Sequence, residues 1–125
     1  MSEKTAKEKA AWAARLAAEK KGQDITVLEI GQVSLITDYF LILSGSSQRH
    51  VQSLTDFILE EFKKEGIRPL NQAGYREGRW VLLDYNDLVV HVFQEEERKF
   101  YNLERLWRQA PRVDVHHGQE SPDEP

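Results

Sequence analysis

The residues best suited to do chemistry are concentrated between Trp80 and Phe93, in the run WVLLDYNDLVVHVF. Two β-rich stretches flank Tyr85-Asn86, so the run reads as a hairpin whose side chains alternate between two faces. Pairing it through Asp84 and Asp87 places Val81, Leu83, Leu88, Val90 and Val92 on one wholly aliphatic face, which must be core. The other face then carries Trp80, Leu82, Asp84, Asp87, Val89, His91 and Phe93. It is aromatic and apolar at its centre, with two acids at the tip. Carboxylates set opposite each other repel by roughly a few tenths of a kcal/mol at an exposed site, and a basic partner would relieve that repulsion. Large aromatics inside a charged rim also describe a protein-binding hot spot. The same face would serve equally as a second core layer beneath a terminal helix, so both readings stay open. The assignment of faces depends on the register. Tyr85 is a poor residue for a two-residue turn, which leaves room for a loop one residue longer.

A second candidate is Ser44-Gly45-Ser46-Ser47, which joins an apolar run to a helix and could offer backbone N–H groups to an anion. It lacks the Lys of a phosphate loop and the spaced glycines of a dinucleotide site, and Gly plus Ser at a helix start is ordinarily a turn and a cap. Gly-Ser at such a position also occurs in nucleotidyltransferases. Those enzymes need two carboxylates on one strand face, usually one residue apart, to hold magnesium. Asp84 is followed by Tyr85 and Asn86, so the pair is missing. The four histidines are scattered. His91, opposite Trp80 in this pairing, reads either as a satisfied buried imidazole or as part of an interface. His116-His117 is weak as a metal site. No Ser/His/Asp arrangement assembles, and no catalytic residue, metal ligand set or cofactor is assigned.

The elements that must position these residues are legible from propensity and period. Thr5 to Lys21, rich in Ala, Lys and Glu, predicts a helix about 5–21 with a thin alanine stripe, expected to pack peripherally, with Gly22 as its left-handed cap. Asp24–Ile30 predicts a strand, and Asp38–Leu43 a second one, apolar enough to be covered on both faces. Val51, Leu54, Ile58 and Phe62 form a stripe at helical spacing over Gln48–Glu65, and Gly66 ends that helix. Ile67–Leu70 reads as an edge strand because Pro69 cannot donate to a central ladder. Glu95 to Trp107 predicts one charged helix, its acids at the positive end of the dipole and Phe100, Leu103 and Trp107 as its buried stripe, with Leu106 alongside. The order is αββαβββα. Helices on a mixed sheet are the economical α/β architecture for it.

With 125 residues the chain fits one domain, expected over 1–110, followed by a disordered acidic tail over 111–125. The balance of 40% hydrophobic and 30% charged residues is that of a globular protein. A net charge of −4 argues against a direct grip on a phosphate backbone and suits docking on a basic protein. There is no cysteine, which excludes disulfides, thiolate zinc sites and cysteine nucleophiles and fits a reducing compartment. No apolar run approaches the roughly 18 residues of a membrane span. The start of the chain lacks a signal-peptide core, and Glu3, Glu8 and Glu19 do not suit a transit peptide, so a cytoplasmic location is expected.

The segments DYFLILSGSSQRHV, WVLLDYNDLVVHVF and RKFYNLERLW together resemble the ribosomal silencing factor family, the Iojap-like proteins. The similarity runs from about Asp24 to Trp107. It includes Asp38-Tyr39, Gly45 with Ser47, Trp80 through Asp84, His91 and Phe93, and Tyr101-Asn102-Leu103-Glu104 with Leu106-Trp107. The resemblance implies a nucleotidyltransferase-like α/β domain without the active site. It further implies binding to ribosomal protein fourteen of the large subunit, a block on joining of the subunits, and lowered translation when nutrients are short. Members of the family can form homodimers, and organellar relatives take part in large-subunit assembly. Two positions depart from the pattern: Ala73 stands before Gly74 where an acid is common, and Asn86 stands where glycine is frequent. Asn tolerates the left-handed conformation, so the hairpin is expected to survive.

Overall fold

A computed structural model describes residues 4–114. The element order is α1 (Ala6–Glu19), β1 (Gln23–Leu28), a 3-10 turn (Ile30–Gln32), β2 (Tyr39–Gly45), α2 (Gln48–Lys64), β3 (Asn71–Ala73), β4 (Trp80–Asp84), β5 (Leu88–Gln94), α3 (Glu95–Tyr101), α4 (Leu103–Leu106) and β6 (Arg112–Val113). The strands form one open mixed sheet in the order β3-β4-β5-β2-β1-β6. Among the described strands only β2 and β5 run parallel; every other neighbouring pair is antiparallel. The α/β class and the mixed sheet with helices packed on it are as the sequence implies.

β2 is central, and every one of its residues is buried. Side chains of alternate parity therefore feed two cores. On one side α1 and α2 cover Leu41, Leu43, Val81, Leu83, Leu88, Val90 and Val92. The thin stripe of α1 does more than pack peripherally. Ala13 and Ala17 are wholly buried because alanine lets the helix backbone sit close to the sheet, and Trp12 stacks on Phe62 with ring centroids 4.5 Å apart. Its start is fixed by a capping box, in which Glu8 N donates to the Thr5 hydroxyl at 3.1 Å and Thr5 N donates to the Glu8 carboxylate at 2.9 Å. At its end the left-handed residue is Lys21 (φ 64°), not Gly22. Gly22 is needed for space instead: a Cβ there would lie 2.9 Å from Leu43 Cδ1 and 3.0 Å from the Ala17 carbonyl oxygen.

On the other side Leu28, Ile30, Phe40, Ile42, Phe93, Leu103 and Ala110 form a smaller core, with Trp80, Val89 and Trp107 at its edge. Here the structure differs from the sequence expectation in three places. The helix expected over Glu95–Trp107 is broken at Asn102, which takes the left-handed conformation (φ 47°, ψ 59°) and caps α4 by accepting from Arg105 N at 3.3 Å. The break turns Phe100 and Leu106 outward, 80% and 72% exposed, while Leu103 stays buried and Trp107 half-buried. The edge strand lies at Asn71–Ala73 rather than Ile67–Leu70, since pairing begins only past the proline. Finally, Arg112 and Val113, inside the expected tail, pair with Leu28 and Val27 of β1. Residues 115–125 of that tail, His116 and His117 among them, lie outside the described residues.

Candidate functional site

The face of β4 and β5 turned away from α1 and α2 is only half covered. In register, Trp80 lies opposite Phe93, Leu82 opposite His91, and Asp84 opposite Val89. The pairing thus slides by one pleat from the Asp84–Asp87 alignment. Side-chain parity survives such a slide, so Trp80, Leu82, Asp84, Val89, His91 and Phe93 do share one face. Asp87 does not join them. It belongs to the loop Tyr85-Asn86-Asp87, and its carboxylate pairs with Lys9 Nζ of α1 at 2.9 Å, on the opposite side of the sheet. The two acids therefore never face each other, and the expected repulsion at the tip is absent. Asp84 instead accepts from Asn86 N at 2.8 Å and holds the loop, where Asn86 takes φ 78°.

Depth divides the remaining residues. Trp80, Leu82, Asp84 and Val89 are half-buried, so part of each reaches the surface. His91 and Phe93 are 4% and 0% exposed and lie beneath it. Trp80 sits over Phe93 with centroids 4.9 Å apart and an interplanar angle of 27°. Its indole also meets Tyr101 at 4.7 Å, and Tyr101 meets Phe100 edge-on at 5.0 Å. The result is a continuous aromatic ledge, Phe93–Trp80–Tyr101–Phe100, whose outer half is open. Trp80 reaches this position from a tight turn. Gly74 (φ 84°) lies so close to the Trp80 carbonyl that a Cβ would come within 2.0 Å of its oxygen. Sequence reasoning missed Tyr101 and Phe100 as members of this surface, because an unbroken helical stripe hides Phe100 in the core. The Asn102-Leu103-Glu104 sequence, a cap followed by an acid, was the available signal for a second helix start.

Behind the ledge lies Arg98 of α3. It is 8% exposed, and its guanidinium donates to Glu104 Oε2 at 2.6 Å and to the Ser44 hydroxyl at 2.9 Å. This ties the α3–α4 break to the end of β2 with charge-assisted bonds.

His91 is the polar exception beneath the ledge. Trp80 Nε1–H donates to His91 Nδ1 at 3.1 Å, and Phe40 packs edge-on against the imidazole at 4.5 Å. Since Nδ1 accepts, the ring is neutral with its proton on Nε2, a buried atom with no hydrogen-bond partner. Burial pushes its pKa down from 6.5 to about 4.

The Ser44–Ser47 loop is organised against phosphate binding. Ser46 N donates to His50 Nδ1 at 2.8 Å, and His50 N donates to the Ser47 hydroxyl at 3.0 Å. The imidazole of His50 continues to the Lys20 carbonyl, 2.8 Å from Nε2. Two donors that an anion would need are thus already used. Among the described residues no three His, Asp or Glu side chains group as a metal site, and no helix is long and apolar enough to cross a membrane.

An open mixed sheet, a half-covered aromatic face and a serine loop whose donors are taken by Ser47 and His50 define the class as a mixed α/β domain. Over residues 3–125 the chain matches the family model described as ribosomal silencing factor during starvation, and it belongs to that family. It is 43% identical over 100 residues to ribosomal silencing factor RsfS of Bacillus subtilis, covering 80% of this chain and 85% of the relative. A crystal structure of a Chromobacterium violaceum protein superposes with a TM-score of 0.81 at 28% identity, covering 94% of this chain and all of the other. A Bacillus halodurans structure gives 0.72 at 38% identity, covering 82% of this chain and 92% of that one.

Proposed function

We propose that the protein represses translation by docking on the large ribosomal subunit and blocking, by its bulk, the association of the two subunits when nutrients are limiting. The observation that carries this reading is the half-covered aromatic face. Trp80, Leu82 and Val89 supply an apolar centre, Asp84 lies at its rim, and His91 and Phe93 support it from beneath. Burial of such a centre inside a polar rim is how protein interfaces gain affinity. A basic ribosomal protein, protein fourteen of the large subunit in the family's pattern, suits a chain of net charge −4. In this reading the protein acts in the cytoplasm as a binding factor and carries out no reaction. A homodimer that used the same face would compete with the ribosome, and binding would dissociate it. A phosphate-handling enzyme is the other reading of this fold, and the occupied donors around Ser46 weigh against it.

The test is to mix the purified protein with isolated large subunits, small subunits and joined ribosomes, then follow each by sedimentation. Stoichiometric binding to large subunits, with loss of joined ribosomes, is the expected outcome. Failure to bind any particle would remove this function and leave the fold.

A further inference from the structure

A histidine buried in an apolar cluster needs a reason. His91 stands between Phe40, Trp80 and Phe93, in register with Ile42 of β2 and Leu82 of β4. A phenylalanine or leucine in that place would cost no desolvation, whereas a neutral imidazole leaves one polar atom unpaired. The one hydrogen bond the ring makes is to Trp80, whose indole N–H has no other acceptor among the described contacts. Trp80 lies inside the Phe93–Trp80–Tyr101–Phe100 ledge but is half-exposed, so ring contacts cover only part of its indole.

We infer that His91 is a positioning residue: it does not touch the partner, but its Nδ1 fixes the Trp80 indole in the one rotamer that completes the ledge with Tyr101. The bond is directional where the ring contacts are not. Stacking on Phe93 tolerates rotation and sliding of the indole, while an N–H donor on a ring edge points to a single acceptor. Holding the indole before contact removes the ordering cost that a free aromatic would incur on binding. The proposal rests on the docking-face reading above, and its test separates the two.

The experiment measures affinity for isolated large subunits for the full chain and four variants: His91→Phe, His91→Asn, Trp80→Ala, and the double variant His91→Phe with Trp80→Ala. His91→Phe keeps a planar aromatic ring, somewhat larger than the imidazole, and removes the acceptor, so it is expected to stay folded yet bind roughly 5–10-fold more weakly. His91→Asn places an oxygen near the position of Nδ1 and should recover most of that loss. In the Trp80→Ala background, His91→Phe should cost nothing further, because its effect runs through the indole. The amide spectrum of the free protein gives an independent readout, with the Trp80 indole N–H assigned by its loss in the Trp80→Ala variant. That resonance should shift and exchange faster with water in His91→Phe. A His91→Phe protein that binds like the parent, while Trp80→Ala does not, overturns the positioning role alone. An equal loss from His91→Phe with and without Trp80 overturns it as well. Normal binding by folded Trp80→Ala would instead remove the docking face itself.

Discussion

At the scale of single residues, the proposed docking gives Trp80 and His91 different parts, one to meet the partner and the other to prepare that contact. Trp80 offers the largest half-exposed ring on the open face and rests on a fully buried Phe93. Trp80→Ala is therefore expected to weaken large-subunit binding by at least about 2 kcal/mol, the loss typical of a central aromatic anchor. Co-sedimentation titration with a protein shown to be folded measures it. His91 makes a different prediction, about pH. Its imidazole is neutral in the fold with a pKa of about 4, against 6.5 as its ordinary value. The unfolded chain takes up this proton at a higher pH than the folded one does. Stability from this group is thus complete above pH 6.5 and is lost as the pH falls toward 4. Between pH 7 and 5 the loss is on the order of 2 kcal/mol. Urea midpoints at the two pH values check this, and His91→Phe should show a smaller drop than the parent.

At the scale of elements, the break between α3 and α4 decides what the open face looks like. Asn102 supplies both the left-handed turn and the cap of α4, and Arg98 anchors the turn to Ser44 and Glu104. Asn102→Ala should destabilise the protein by about 1–2 kcal/mol, since it loses the cap and strains the positive φ; Asn102→Gly should lose only the cap. Arg98→Met leaves Glu104 without its partner and is expected to cost about 2–3 kcal/mol. Arg98→Lys should not rescue it, because an ammonium cannot meet Ser44 and Glu104 together in the planar geometry seen here. Both positions should also reduce subunit binding in excess of their effect on folding, as Tyr101 moves away from Trp80. Thermal melts and binding isotherms on the same samples separate the two effects.

Across the whole molecule, charge and sheet geometry are divided between the two faces. Asp84 lies at the rim of the open face, while Asp87 faces α1 and is joined to Lys9. Reversing Asp84 to Lys should slow association with large subunits and flatten its dependence on salt. Reversing Asp87 to Lys should leave the association rate alone and cost roughly 1–2 kcal/mol of stability by placing two cations together. Stopped-flow association at several salt concentrations, paired with denaturation midpoints, distinguishes these outcomes. If both reversals slowed association alike, the two faces would not be independent and the docking surface would have to extend around the hairpin tip.

Much of this was legible from residues alone because it depends on local period and composition. The alternation in Val81 to Val92, the loop residue Asp87 excepted, put the right side chains on the right faces even with the strands aligned one pleat off, since parity is unchanged by such a slide. The stripe Val51, Leu54, Ile58 and Phe62 defined α2, and the apolar run of β2 implied burial on both faces. What lay beyond the sequence was whatever depends on contacts distant along the chain. The partner of Asp87 is Lys9, far away in the chain, so a local reading could only pair it with the nearer Asp84. The depth of His91 and Phe93 follows from rings brought over them by β2 and β4. The break at Asn102 is held by an arginine that reaches across to β2. Period and propensity are properties of neighbours in sequence, and they determined the α/β class, the central strands and the two faces of the hairpin, Asp87 apart. Which part of the second face stays open is set by packing between distant segments, and only the tertiary structure decided it.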